Sequence, residues 1–185
     1  MAGTNGRIAY TALTGNGSDI FVTNSDGQGT QRLTFDDSDF SVNTTGSGGP
    51  AWSPDGRQIA YTNYDGKRRA IFTIDVATGV SRQVTPASVT NAVSPTWSPD
   101  GRRIAYDAIN ADGRDIFTIA ATGGEPTKVA IVGAASFGGS SWSPDGTRIA
   151  YIGADGDRDE IFTVPAGGGV STRITSDRMR KGGPT

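Results

Sequence analysis

The sequence predicts an all-β fold in which one four-stranded antiparallel unit is written four times. Three observations predict it. Trp52, Trp97 and Trp142 stand 45 residues apart, and each opens the word Trp-Ser-Pro-Asp-Gly. Two shorter words follow at fixed distances. Ile-Ala-Tyr recurs at Ile8–Tyr10, Ile59–Tyr61, Ile104–Tyr106 and Ile149–Tyr151, and Ile-Phe at Ile20–Phe21, Ile71–Phe72, Ile116–Phe117 and Ile161–Phe162. The 185 residues include 27 glycines and 9 prolines, which interrupt every window long enough for a helix. A unit of about 45 residues with four antiparallel strands has the period of a propeller blade. The chain therefore reads as one β-propeller domain, 1–185, with blade repeats near 6–47, 48–92, 93–137 and 138–185.

The third repeat shows each element in order. Strand one is short and ends at Trp97. Ser98–Gly101 is a turn in which proline presets the second position and aspartate and glycine suit the third and fourth. Arg102–Ala108 is strand two, and Ile109–Arg114 is a polar loop. Asp115–Ala120 is strand three, with Ile116, Phe117 and Ile119 placing apolar groups on both faces, as a strand between two stacked sheets requires. Ala121–Pro126 turns the chain, and Thr127–Ile131 is strand four.

The first repeat starts at strand two, Gly6–Ala12, and lacks its own innermost strand. The segment Arg180–Thr185 carries the same Gly-Gly-Pro as Thr45–Ala51 and is the candidate to supply it. Two closures follow: a closed four-bladed monomer, or a homodimer completing an eight-bladed ring, each copy finishing the other's first blade. An open sheet edge invites aggregation, so self-association is the favoured expectation.

Composition narrows the function. A net charge of −2 provides no electrostatic pull toward nucleic acid. There is no histidine and no cysteine, which removes imidazole bases, thiolate nucleophiles, disulfides and thiolate metal sites. No apolar run approaches the length of a membrane helix, and Met1–Tyr10 has no leader-peptide pattern. The acidic loop Asp155–Glu160 lacks the ligand order of a calcium-binding loop. The expectation is no catalysis, no metal and no cofactor.

The blocks Ser47–Asn63, Ala92–Ala108 and Ser140–Tyr151, with Gln31–Thr34, Arg82–Thr85 and Thr172–Thr175, resemble the repeat of the TolB-type, WD40-like β-propellers. The third repeat departs from it with Thr127–Ala130. The resemblance implies a propeller and, through TolB of the cell-envelope Tol–Pal system, a periplasmic or extracellular bacterial location. Enzymes with related propellers use funnel histidines and a metal, or a hydrolase domain beneath the ring. This sequence contains neither.

The repeated residues read first as architecture. Trp52, Trp97 and Trp142 are wedges between blades. Asp55, Asp100 and Asp145, ahead of Gly56, Gly101 and Gly146, are turn residues that accept backbone N–H groups. Function then falls to the segments that vary among repeats: Thr11–Ser18, Asp36–Gly49, Tyr64–Arg69, Pro86–Ser94, Ala108–Arg114, Gly133–Ser140 and Gly153–Asp159, all on one face. The ligand-face candidates are Asp36, Asp37, Asp39, Phe40, Tyr64, Arg68, Arg69, Asn110 and Phe137. A basic cluster, Arg178, Arg180 and Lys181, stands in the loop equivalent to the acidic Asp36, Asp37 and Asp39. The functional expectation is a non-catalytic binding or scaffold module for protein or peptide partners. The alternative is a propeller fragment, natural or engineered, of a larger TolB-like protein or of an enzyme whose propeller gates substrate access.

Overall fold

The computed structural model describes residues 6–14, 17–35, 49–64, 67–110, 113–133, 139–156, 158–177 and 184, and among them every regular element is a strand. Sheet one holds β1 (Arg7–Thr14), β2 (Gly17–Asn24) and β3 (Gln31–Arg32). Sheet two holds β4 (Ala51–Trp52), β5 (Gln58–Tyr64), β6 (Arg69–Asp75) and β7 (Ser81–Gln83). Sheet three holds β8 (Ala92–Trp97), β9 (Arg103–Asn110), β10 (Gly113–Ala120) and β11 (Thr127–Gly133). Sheet four holds β12 (Ser141–Trp142), β13 (Arg148–Asp155), β14 (Arg158–Pro165) and β15 (Thr172–Arg173). Strands follow chain order and all pair antiparallel. Among the described residues, sheet one has three strands, beginning at the equivalent of strand two.

The repeated words meet in the central hairpins. Tyr10 pairs with Phe21, Tyr61 with Phe72, Tyr106 with Phe117 and Tyr151 with Phe162. Their ring centroids lie 5.6, 5.9, 5.8 and 5.7 Å apart. Such cross-strand aromatic pairs hold a hairpin in one register.

Strand three is apolar on both faces because each face enters a different core. In β6, Ile71 belongs to the cluster shared with sheet three, and Ile74 to the cluster shared with sheet one. A third cluster joins sheets three and four, with Ala105, Ile116 and Val129 against Trp142, Ile149 and Tyr151. None of the three clusters contains residues of both sheet one and sheet four. Each fully buried isoleucine contributes about 1.5–3 kcal/mol, so the seams hold the molecule together.

Two equivalent positions expose the ends of the stack. Ile59, Ile104 and Ile149 are 0% exposed against the preceding sheet, whereas Ile8 is 51% exposed. Leu33, Val84 and Val129 are buried against the following sheet, whereas Ile174 is 58% exposed.

The structure also corrects three loop boundaries. Thr14 pairs with Gly17, Asn110 with Gly113 and Asp155 with Arg158. The described residues of the segments Thr11–Ser18, Ala108–Arg114 and Gly153–Asp159 are thus mostly strand. The long variable connections are those from one sheet to the next.

Candidate functional site

The Ser-Pro-Asp-Gly turns close by the same bonds three times. Gly56, Gly101 and Gly146 donate their N–H to the carbonyls of Ser53, Ser98 and Ser143 at 2.9, 2.9 and 2.8 Å. Gly101 has φ +69°, a left-handed conformation that favours glycine. Asp55, Asp100 and Asp145 each accept the serine hydroxyl at 2.6 Å. They also accept the N–H of Arg57, Arg102 and Thr147. These bonds, the serine first, hold the carboxyls below their ordinary range, Asp145 down to about 2. The aspartates are committed to their turns and sit in three separate sheets.

The tryptophans line the seams. Trp97 and Trp142 are 8% and 9% exposed. The Trp97 indole N–H donates to the Ala51 carbonyl in the preceding sheet at 3.0 Å, and that of Trp142 to Thr96 at 3.2 Å. Arg103 lies over the Trp142 ring, 5.0 Å from its centroid. Arg82 fastens sheet two to sheet three through the carbonyls of Ala121 and Thr122 at 2.8 and 2.7 Å.

Of the loop-face candidates, Tyr64, Arg68 and Arg69 come together. Tyr64 ends β5 and pairs across the hairpin with Arg69, which opens β6. Arg68 and Arg69 are half-buried and Lys67 is exposed, so the cationic run ends at the residue that pairs with Tyr64. Asn110 lies inside β9, paired with Gly113, and not in a loop. Asp36, Asp37, Asp39, Phe40 and Phe137, with Arg178, Arg180 and Lys181, lie outside the described residues.

Tyr64 also lines a cleft of about 580 Å³ that runs along the rim between sheets one and two. Phe35, Tyr61, Asn63, Phe72 and Gln83 are among its other walls. Phe35 is 69% exposed, with the Arg32 guanidinium 4.9 Å from its ring centroid, and Arg32 in turn pairs with buried Asp19 at 2.7 Å. The cleft is therefore walled by aromatic rings, with the Arg32 guanidinium over one of them. Sequence reasoning missed Phe35 and Asn63. Phe35 follows the repeated Leu-Thr word and resembles a loop filler, and only the packing of two sheets shows that it walls a groove.

A second polar feature is internal. Asp107 is 2% exposed on β9, with Arg114 Nε 3.6 Å from its Oδ1. Loss of water pushes its carboxyl up to about 7, and the guanidinium pulls the other way with less effect. Among the described residues, no group of three or more acidic side chains is arranged to hold a metal ion.

Comparison with known proteins agrees with this architecture. The profile of the TolB beta propeller domain matches residues 5–184. The Tol-Pal system protein TolB of Methylococcus capsulatus is 33% identical over 89 residues, 46% of this chain and 19% of that protein. The chain thus matches less than a fifth of that relative's length. Among solved structures, a putative TolB from Agrobacterium tumefaciens superposes with a TM-score of 0.70 at 19% identity, over 91% of this chain and 60% of that one. An oligogalacturonate lyase in complex with manganese superposes with a TM-score of 0.66 at 18% identity, over 87% and 45%. With the repeat, the four sheets and the profile match in agreement, the chain belongs to the TolB beta propeller domain family.

Proposed function

We propose that this chain is a non-catalytic propeller module that binds a protein or peptide partner on its loop face. The observation that carries the reading is the cleft between sheets one and two, walled by Phe35 and Tyr64. Lys67, Arg68 and Arg69 stand at the end where the hairpin carries Tyr64. An extended acidic segment with an aromatic or aliphatic anchor fits that combination. The absence of histidine and cysteine from the sequence favours binding over chemistry. The test is a displayed library of random twelve-residue peptides, selected on the protein and re-measured on Tyr64→Ala and Arg69→Ala. Selected peptides should be acidic, and both variants should weaken them at least tenfold. Binders indifferent to both substitutions would overturn the assignment of the cleft.

The same module self-associates in this reading, as a homodimer completing an eight-bladed ring. The support is the pair of uncovered positions at the two ends of the stack, Ile8 and Ile174, whose equivalents are buried at every internal seam. The sheet-four end of one copy has the shape and residue types that sheet one presents to sheet two. Light scattering should give twice the 19.1 kDa chain mass. A single-chain mass at high concentration sinks self-association and leaves the partner-binding reading standing.

A further inference from the structure

The outer rim is shut at two seams and open at the third. Where sheet three packs on sheet two, the two terminal nitrogens of Arg82 donate to the carbonyls of Thr122 and Ala121 at 2.7 and 2.8 Å. In the same turn, a Cβ on Gly123 would stand 3.3 Å from the Val84 carbonyl oxygen, so the turn lies directly on the outer strand of sheet two. Sheet four docks on sheet three in the same way. Arg103 donates to the Ala166 carbonyl at 3.3 Å, and a Cβ on Gly168 would stand 3.3 Å from the Lys128 carbonyl oxygen. Gly123 and Gly168 have φ +84° and +89°, and without a Cβ they permit this approach.

The rim between sheets one and two has neither contact. Val76 corresponds to Ala121 and Ala166, since they donate their N–H groups to the carbonyls of Arg57, Arg102 and Thr147, each the residue after an Asp-Gly. Two places further on, sheet two has Thr78 where the others have glycine. Thr78 and Gly79 are exposed, and a Cβ on Gly79 would meet nothing within 4 Å. Gln31 stands in the place of Arg82, as Thr34 stands in the place of Thr85. Among the described residues nothing donates to the carbonyls of Val76 and Ala77.

This open rim is the turn end of the cleft, which reaches Gly79 and Ser81. Both other seams place a guanidinium on the carbonyl equivalent to that of Val76. The turn of sheet two also suits a cation better than the others do. It carries Asp75 where they carry Ala120 and Pro165. The Asp75 carboxyl accepts the Thr78 N–H and hydroxyl and the Ala77 N–H, which hold it below its ordinary range. A planar guanidinium presents parallel donors to two adjacent carbonyls, which an ammonium cannot match. The other end of the cleft is Tyr64, paired with Arg69. Tyr64 and Gln58, the partner of Asp75, are six residues apart on β5, about 20 Å of strand.

We infer that the partner segment carries an arginine, seated at the turn end of the cleft with its guanidinium donating to the carbonyls of Val76 and Ala77 beside Asp75. Its acidic residues lie about six positions away along an extended chain, at the Tyr64 end. The inference rests on the cleft proposed above as the binding site and specifies a residue that the cleft selects.

The probes are the twelve-residue library peptides that Tyr64→Ala weakens. They should share an arginine about six positions from their acidic residues. Replacing that arginine by alanine or lysine should weaken binding about tenfold. The protein variant Gln31→Arg supplies the guanidinium from within the chain, as Arg82 does at the next seam. It should weaken the arginine peptides about tenfold and leave their alanine versions unchanged. A thermal midpoint at or above that of the parent shows that this variant is folded. Peptides that depend on Tyr64 and carry no arginine, or that Gln31→Arg leaves unaltered, overturn the inference while the cleft stands. Peptides indifferent to Tyr64→Ala overturn the cleft and the inference with it. Should Gln31→Arg fail to fold, citrulline in the peptide replaces it, since citrulline keeps the shape of arginine and removes the charge. A loss of about tenfold supports the guanidinium contact, and unchanged binding overturns it.

Discussion

The carbonyl oxygen of Ala51 accepts the indole N–H of Trp97 at 3.0 Å, joining the innermost strands of sheets two and three. The ring itself fills the seam among Ala60, Ile71 and Ile104. Trp97→Ala should cost about 3–5 kcal/mol, the range for large aromatic truncations in a core. Trp97→Phe keeps most of the packing and should cost distinctly less. Denaturant titration measures both; a midpoint nearly unchanged in the alanine variant would show that the ring does not hold the seam.

Three tyrosines at one repeat position should respond differently to loss of the hydroxyl. Tyr61 bonds to Ser81 at 2.6 Å and Tyr151 donates to Ser171 at 2.7 Å, whereas Pro126 stands at that place in sheet three and the buried Tyr106 hydroxyl has no partner among the described residues. Burial alone raises the Tyr106 phenol above its ordinary pKa. Tyr61→Phe and Tyr151→Phe should each destabilise by about 1 kcal/mol, and Tyr106→Phe should be neutral or stabilising. Thermal midpoints of the three variants under one condition check this; equal losses at all three positions would refute it.

Thr85 accepts the Ile71 N–H through its hydroxyl at 3.0 Å, and Thr34 and Thr175 do the same for Ile20 and Ile161 at 2.9 Å. Thr85→Val keeps the shape and strands a buried donor, a loss of about 1–3 kcal/mol. Sheet three has Ala130 there, and Ile116 pairs with Ala130 in a longer outer strand instead. Ala130→Val should accordingly show no hydrogen-bond loss. Chemical denaturation of Thr85→Val beside Thr85→Ser, which restores the acceptor, isolates the bond from the packing.

Stability should vary with pH in two opposite directions. Asp107 is raised in the folded state from 3.8 to about 7, so the native protein retains a proton that the unfolded chain has released. Its effect is a decline in stability as pH rises from about 4 to about 7, with no further change above, amounting to at most about 4 kcal/mol. Asp55, Asp100 and Asp145 are lowered in the folded state, so their contribution is present above pH 3.8 and is lost as pH falls below it, for Asp145 through about 2. Asp107→Asn should flatten the limb between pH 4 and 7 and leave the acid limb in place. Urea unfolding across pH 2–9 separates the two, and an unaltered upper limb in Asp107→Asn would remove Asp107 as its source.

The propeller was legible in the sequence because its repeated residues satisfy short-range demands. Gly101 marks a left-handed turn position, Asp100 accepts the N–H of a residue two places on, and Ile104 and Ala105 alternate toward two cores; each signal lies within about ten residues. The full length of the central ladders was less legible. Polar residues such as Asn110 look like loop whether or not the ladder continues through them. Partnerships between sheets were not legible at all. Nothing local to Phe35 indicates that Tyr64 will stand across a groove from it. Nothing near Tyr106 shows that a proline twenty residues on has taken the place of its hydroxyl partner.

Among the described residues the core clusters are shared only by consecutive sheets, a one-dimensional stack in which each unit is stabilised by its own hairpin and by one or two neighbours. Opening then propagates inward from the ends and does not occur everywhere at once. Amide exchange should be slowest in β5, β6, β9 and β10, which are flanked on both sides, and faster by orders of magnitude in β1 and β15. Association at the exposed ends would erase that gradient, because every hairpin would then have two neighbours.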